Sequence, residues 1–194
     1  MAKPKHRLIV LTDAEGCPRP LAEQVRRALG GGPFSLLLRD KHLAWDRRRR
    51  LAERLEGLLA ASGGELIVAD PPEAVRAAHL SARFPAPAPR PACLGRSVHA
   101  GAPVEAELDY ITYSPIWTTD SKPGYGPAVG LEGLAERVAS SPVPVYALGG
   151  VTGAERALAA REAGAAGVAV MGAVMRSGEP ERVVAALRAA LEPV

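Results

Sequence analysis

The chain of 194 residues is 47% hydrophobic and 23% charged with a net charge of +3, a balance that supports a folded core and excludes a disordered chain. Aromatic residues make up only 4% and are scattered, so no stacking platform for single strands exists, and the small cationic excess suits small phosphorylated ligands rather than nucleic acid. The N-terminal apolar run stops at Asp13, too short for a secretion signal or a membrane span, and Cys17 and Cys93 belong to no metal or redox spacing, so a cytoplasmic protein with inert thiols is expected.

In chain order, an apolar strand is predicted over residues 7–13 and a helix over 21–29. A second strand covers 34–40, followed by a long amphipathic helix over 45–61. Within that helix Leu51, Leu55, Leu58 and Leu59 form the apolar stripe, and Arg47 to Arg50 read as a solvated face rather than a nucleic-acid patch. A strand over 65–70 leads to a short helix opened by Pro71 and Pro72, and a weaker strand to 79–81. Then come a strand over 93–99, a short helical piece over 104–108, a strand over 110–116 and a helix over 131–140. The last units are a strand over 143–150, a helix over 154–163, a strand over 167–174 and a helix over 179–191.

Eight strands, several of them unbroken apolar runs, alternate with helices, which predicts a single-domain (β/α)8 TIM barrel over residues 1–194 in preference to an open doubly wound sheet. The chain is short for that fold. The segment PAPAPRPA over 85–92 stands where a fourth helix belongs, and its alternating prolines cannot propagate one. Helix 4 is therefore expected to be reduced or replaced by this Pro-rich segment.

Barrel chemistry belongs at the C-terminal ends of the strands. Those ends supply Asp13, then Arg39, Asp40 and Lys41, then Asp70, Ser81, Ser97 and His99, with Ser114, Pro115 and Lys122 beyond the sixth strand. Gly149, Gly150 and Gly172 follow the seventh and eighth strands, where exposed backbone N–H groups commonly hold phosphate. His42 and His99 lie near the rim as proton carriers or spectators, and no zinc spacing, GxSxG or Walker-type loop occurs.

The motifs LTD, LLLRDK, LIVAD, LGRSVH, DYITYSPIWTTDSKPG, PVYALGGV and AGAAGVAVMGAV, in this order from Leu8 to Pro180, resemble thiamine phosphate synthase and its TenI relatives. The resemblance implies the same barrel and a ligand that is a phosphorylated thiazole. In a synthase, a pyrimidine diphosphate loses magnesium-bound pyrophosphate and the thiazole nitrogen captures the resulting cation. It also implies residue roles: Arg39, Lys41 and Lys122 as cations on the diphosphate, Ser97 as a hydroxyl on pyrophosphate, and Asp70 as one of two magnesium ligands. Gly149, Gly150 and Gly172 would seat the thiazole phosphate.

Departures accompany these matches. Leu37 and Ala69 stand where the synthase pattern has glutamine and asparagine, and Ala82-Arg83-Phe84 lacks the second acidic ligand. The segments ARFP, GRSVH and TTDSK resemble TenI, which implies a thiazole tautomerase that moves a proton and needs no cofactor. The tautomerase histidine falls at Pro115, so His99 or Asp120, with Lys122, would have to carry the proton. The reading preferred on these residues is a TenI-like tautomerase. The alternatives are a magnesium-dependent synthase and a catalytically degenerate binding protein. No membrane or nucleic-acid partner is expected, and a homo-oligomer is compatible with all three.

Overall fold

In the computed structural model, which describes residues 3–118 and 127–192, eight parallel strands close into a barrel in chain order. They are β1 (Leu8–Leu11), β2 (Ser35–Leu38), β3 (Glu65–Ala69), β4 (Ala77–Leu80), β5 (Cys93–Val98), β6 (Tyr110–Tyr113), β7 (Val145–Leu148) and β8 (Gly167–Val170). The seam closes through Leu8 beside Val168 and Val10 beside Val170. Most of these strands are buried at every residue, which is why they read as unbroken apolar runs rather than alternating ones.

The helices are α1 (Leu21–Leu29), α2 (Trp45–Ala61), α3 (Gly130–Ser140), α4 (Ala154–Glu162), α5 (Gly172–Met175) and α6 (Pro180–Leu191). In α1 the buried Leu21, Val25 and Ala28 recur at helical spacing and turn one stripe to the sheet. Pro180 opens α6 in its first turn, where its missing N–H costs nothing.

Two packed layers result. Between strands and helices lie Leu36, Leu38, Leu55, Leu59, Val184 and Leu187; inside the barrel lie Ile9, Leu37, Ile67, Tyr110, Tyr146 and Ala169. The interior is filled by pairing large rings with missing side chains. A Cβ on Gly95 would come within 2.2 Å of the Tyr110 ring, so that ring occupies the space over β5. Tyr110 in turn meets Tyr146 edge-on at 5.6 Å.

Three stretches between strands carry no helix, not only the one expected to lack it. The Pro-rich segment 85–92 forms no helix, as its prolines dictate. The helix expected after Pro71 and Pro72 is also missing, because only residues 70–76 separate β3 from β4 and a helical crossover needs about ten or more residues. Residues 104–108 form a turn instead of the short helical piece, and β4 itself spans Ala77–Leu80 rather than 79–81.

Loops cover this flank. Leu108 is buried and Val75, Phe84, Ala102 and Val104 pack against the outer core. Arg96, a residue of the rim on the sequence pattern, faces outward from β5 and ties these loops down. Its guanidinium donates to the carbonyls of Ser81 (3.1 Å) and Phe84 (2.9 Å), and Nε stands 3.3 Å from Glu105. A charged hub with several backbone acceptors thus holds a wall that elsewhere is held by a helix.

Candidate active site

The exits of β1 to β4 converge on one side of the barrel mouth. A cavity of about 260 Å³ there is lined by Thr12, Asp13, Arg39, Asp40, Lys41 and His42. Thr12 anchors the second exit: its Oγ1 accepts the Arg39 amide N–H at 2.8 Å. Asp40 joins the first exit to the second by accepting the Ala14 N–H at 2.8 Å, while its other carboxylate oxygen is buried without a partner.

Asp70 is the centre of this side. Among the described residues it is the non-glycine residue with positive φ, at 42°, a conformation aspartate tolerates better than most and one that concentrates at functional sites. Its carboxylate accepts the Ser81 N–H and the Ser81 hydroxyl, each at 2.7 Å, and pairs with the Lys41 ammonium. Burial by itself pushes the Asp70 carboxyl up, but hydrogen bonds from Lys41 and Ser81 reverse this and hold it below its ordinary value. Asp70 is consequently ionised at neutral pH.

Arg39 differs from Lys41. Its guanidinium reaches the Met171 sulfur at 3.0 Å, and among the described residues no carboxylate lies within ion-pair distance of it. A half-buried cation with no ion pair among the described residues is a ready partner for an anion.

Arg48 corrects the sequence reading of α2. It is buried, not solvated, and donates to the Asp70 backbone carbonyl at 2.9 Å. Burial lowers its pKa, and the negative charges of Asp70 and Asp40 oppose that shift. The side chain lies over Trp45, 4.9 Å from its ring centre. Leu51 and Leu58, expected in the buried stripe, are only partly covered. Arg48 therefore braces the strained Asp70 backbone from outside. Arg48→Leu is expected to lower unfolding stability by about 2 kcal/mol in urea titrations, the scale of a lost charged hydrogen bond, with Arg48→Lys recovering part of it.

The opposite side of the mouth is built by β6 and β7. Pro115 follows a cis peptide bond from Ser114, and His99 Nδ1 lies 3.0 Å from the Ser114 carbonyl and 3.3 Å from its hydroxyl. A carbonyl only accepts, so Nδ1 carries the proton. Asp120 and Lys122 lie outside the described residues.

Gly149 and Gly150 have φ of 96° and 72° and sit directly beneath Pro115 and Trp117. No sequence pattern marks Arg156, whose guanidinium donates to the Gly150 carbonyl and stacks over Trp117 at 5.3 Å. A second cavity, of about 500 Å³, opens beside it and is lined by Thr152, Gly153, Glu155 and Arg156. Gly172 begins α5 and has ordinary φ; a Cβ there would meet nothing nearer than Arg176 side-chain atoms at 3.8 Å. Its backbone thus makes no demand for glycine.

Inside the mouth, sequence reading also missed His79. It is fully buried on β4, with Nδ1 3.1 Å from the Tyr110 hydroxyl and Nε2 3.0 Å from Ser97 and 3.2 Å from Thr112. Burial drives its pKa down to about 3, so the ring is neutral. Period-two spacing from Ser81, one residue past the end of that strand, was the available signal. By contrast His42 is exposed, and its ion-pair partner among the described residues is an exposed Glu15 at 3.7 Å.

Ser97 and Asp70 thus lie on neighbouring parts of one polar lining, Ser97 through His79 and Asp70 through Ser81, whereas Gly149, Gly150 and Gly172 form the other side. Among the described residues no three His, Cys, Asp or Glu side chains are grouped to hold a metal. Asp70 supplies one ionised hard-oxygen donor, which fits a magnesium ion whose remaining ligands are water and substrate phosphate, but not a cage made of protein alone. Burial raises the Cys17 thiol to about 11 and the Cys93 thiol to about 12. No helix among the described residues is long and apolar enough to cross a membrane.

Comparison with known proteins places this architecture. A family model described as thiamine monophosphate synthase matches residues 86–174. A putative thiamine-phosphate synthase from Geobacter sulfurreducens is 35% identical over 211 residues, covering 100% of this chain and 98% of the relative. A thiamine-phosphate synthase from Methanoregula boonei is 36% identical, covering 92% of this chain and 89% of its own. Among solved structures, thiamine phosphate pyrophosphorylase from Pyrococcus furiosus aligns with a TM-score of 0.78 at 26% identity, covering 95% of this chain and 94% of that one. Similar from end to end to synthases that share its barrel, the chain belongs to the thiamine phosphate synthase/TenI family of thiamine biosynthesis.

Proposed function

We propose that the chain is a thiamine phosphate synthase, joining a pyrimidine diphosphate to a thiazole phosphate with release of pyrophosphate. The observation that carries this reading is the ionised Asp70 paired with Lys41 beside Arg39, a cation that makes no ion pair among the described residues. A tautomerase has no use for such a cluster, since proton transfer within a thiazole carboxylate phosphate creates no diphosphate charge. The relatives named as synthases support the same choice over the TenI-like tautomerase favoured by the motif segments.

In the proposed reaction the bond between the pyrimidine methylene carbon and the diphosphate oxygen breaks, and its electron pair leaves with pyrophosphate. The thiazole nitrogen lone pair then forms the new C–N bond, giving the thiazolium. Arg39 and Lys41 lower the energy of the departing pyrophosphate anion, and Ser97 adds a hydrogen bond. Magnesium, when bound, would neutralise charge on the diphosphate, with Asp70 as its protein ligand. Gly149 and Gly150 would present backbone N–H groups to the thiazole phosphate, with Gly172 at the start of α5 facing the same ligand. Lys122 remains part of the proposal as a further cation on the diphosphate. His99 and Asp120 have no assigned step in a synthase.

The test is to incubate purified protein with pyrimidine diphosphate, magnesium and thiazole phosphate, and separately with the non-aromatic thiazole tautomer. Thiamine phosphate in the first reaction is expected. Aromatised thiazole in the second with none in the first would establish the tautomerase instead, with His99 or Asp120 moving the proton. Tight thiazole phosphate binding with no product in either would leave a binding protein.

A further inference from the structure

Ser97 touches the diphosphate only on the reading just given, and the inference that follows rests on it. A serine hydroxyl is ambivalent: it donates one hydrogen bond and accepts others. To help an anion it must point its proton at the ligand, and any buried acceptor beside it competes for that proton. His79 Nε2, 3.0 Å away, is such a competitor unless it bears a hydrogen itself.

We propose that Tyr110 and His79 form a buried proton-ordering chain that presets the Ser97 hydroxyl as a donor into the barrel mouth. The chain begins at Tyr110, whose hydroxyl has His79 Nδ1 as its hydrogen-bond partner among the described residues. Burial raises the phenol pKa well above its ordinary value, so the O–H is intact and must donate or be stranded. Nδ1 therefore accepts, and in a neutral imidazole the hydrogen then sits on Nε2.

Nε2–H has Ser97 Oγ at 3.0 Å and Thr112 Oγ1 at 3.2 Å, both able to accept. Thr112 in turn donates towards Ser97, 3.5 Å away. Ser97 thus accepts from below on both counts. Its own proton has no acceptor within this cluster and is left for whatever occupies the mouth. His79 and Tyr110 are positioning residues on this account and touch no substrate.

The geometry is kept by the packing already described. The Tyr110 ring reaches from β6 across Gly95 of β5, which brings the phenol oxygen against the His79 imidazole on β4. Tyr110→Phe preserves that ring and removes only the oxygen, which makes it the cleanest probe.

Two measurements test the chain. In ¹⁵N-histidine NMR of the wild-type protein, His79 is expected as the Nε2–H tautomer; an Nδ1–H tautomer overturns the proposal irrespective of catalysis. In calorimetric titration with inorganic pyrophosphate and magnesium, Tyr110→Phe is expected to weaken binding by about 3- to 10-fold, the range of one net hydrogen bond. In a Ser97→Ala background the same substitution is expected to have no further effect, because it acts only through that hydroxyl. Independent, multiplying losses in the double variant would reduce Tyr110 to a packing residue and sink the idea. If the tautomer is Nε2–H and the wild type binds no pyrophosphate, the proton order stands and the diphosphate reading of the mouth falls.

Discussion

Asp70→Asn is expected to lower the rate of thiamine phosphate formation by about 10²- to 10³-fold, the scale on which single electrostatic stabilisers act in enzyme sites. Asparagine keeps the size of the side chain and an oxygen for one Ser81 hydrogen bond, but it cannot balance Lys41 and offers magnesium only a neutral, weaker oxygen. Steady-state assays at several magnesium concentrations check this: the variant should need far more metal and never regain the wild-type rate. A variant with near wild-type turnover would remove Asp70 from the diphosphate site.

The same carboxylate makes a prediction about pH. Burial opposes its ionisation, yet the hydrogen bonds from Lys41 and Ser81 leave its folded pKa below the unfolded value. The unfolded chain therefore binds the Asp70 proton at a higher pH than the folded one. Stability from this group is fully present above the ordinary aspartate value of about 3.9 and is lost as pH falls through the folded value. Urea titrations from pH 6 down to pH 3 should show the wild-type advantage over Asp70→Asn shrinking at the acid end. An advantage that grows there would reverse the assigned sign.

Gly150→Ala is expected to cost roughly 2–4 kcal/mol in stability, combining a left-handed backbone with overpacking. At φ of 72° an added Cβ would stand 2.6 Å from Trp117 Cβ and 2.8 Å from the Thr118 carbonyl oxygen. The second contact is backbone and cannot swing aside, so the strand 6 exit must move away from the strand 7 exit. Thiazole phosphate binding should weaken along with stability, since the displaced backbone is the proposed phosphate seat. Gly172→Ala is the matched control: with ordinary φ and open space it should change stability by about 0.5 kcal/mol or less. Thermal melts and calorimetric titration of both variants with thiazole phosphate check the contrast.

Several of these residues were visible before any coordinates. Asp70, Arg39 and Lys41 stand out because charge at the end of a greasy run marks a strand exit, and barrel exits share one face. Other features were hidden for definite reasons. Arg48 lies in a run of four arginines, and only the position of α2 against β3 shows which of them turns inward to the Asp70 carbonyl. Arg96 and Ser97 are adjacent in sequence yet face opposite sides of β5, one bracing outer loops and the other entering the mouth. His79 sat in the weakest predicted strand, whose length is set by pairing with β3 and β5 rather than by its own pattern.

The order of apolar runs and amphipathic stretches by itself determined the barrel, because runs buried on both faces and connected by crossovers have few ways to be covered. Sequence also determined the missing fourth helix, since proline removes the donors a helix needs. Which side chains meet across strands was decided only by the closed tertiary structure. Asp70 with Lys41 and Ser81, Arg48 with the Asp70 backbone, and His79 with Tyr110 and Ser97 are contacts between residues 11 to 31 positions apart. Their meeting depends on strand register and barrel closure, which no local pattern specifies.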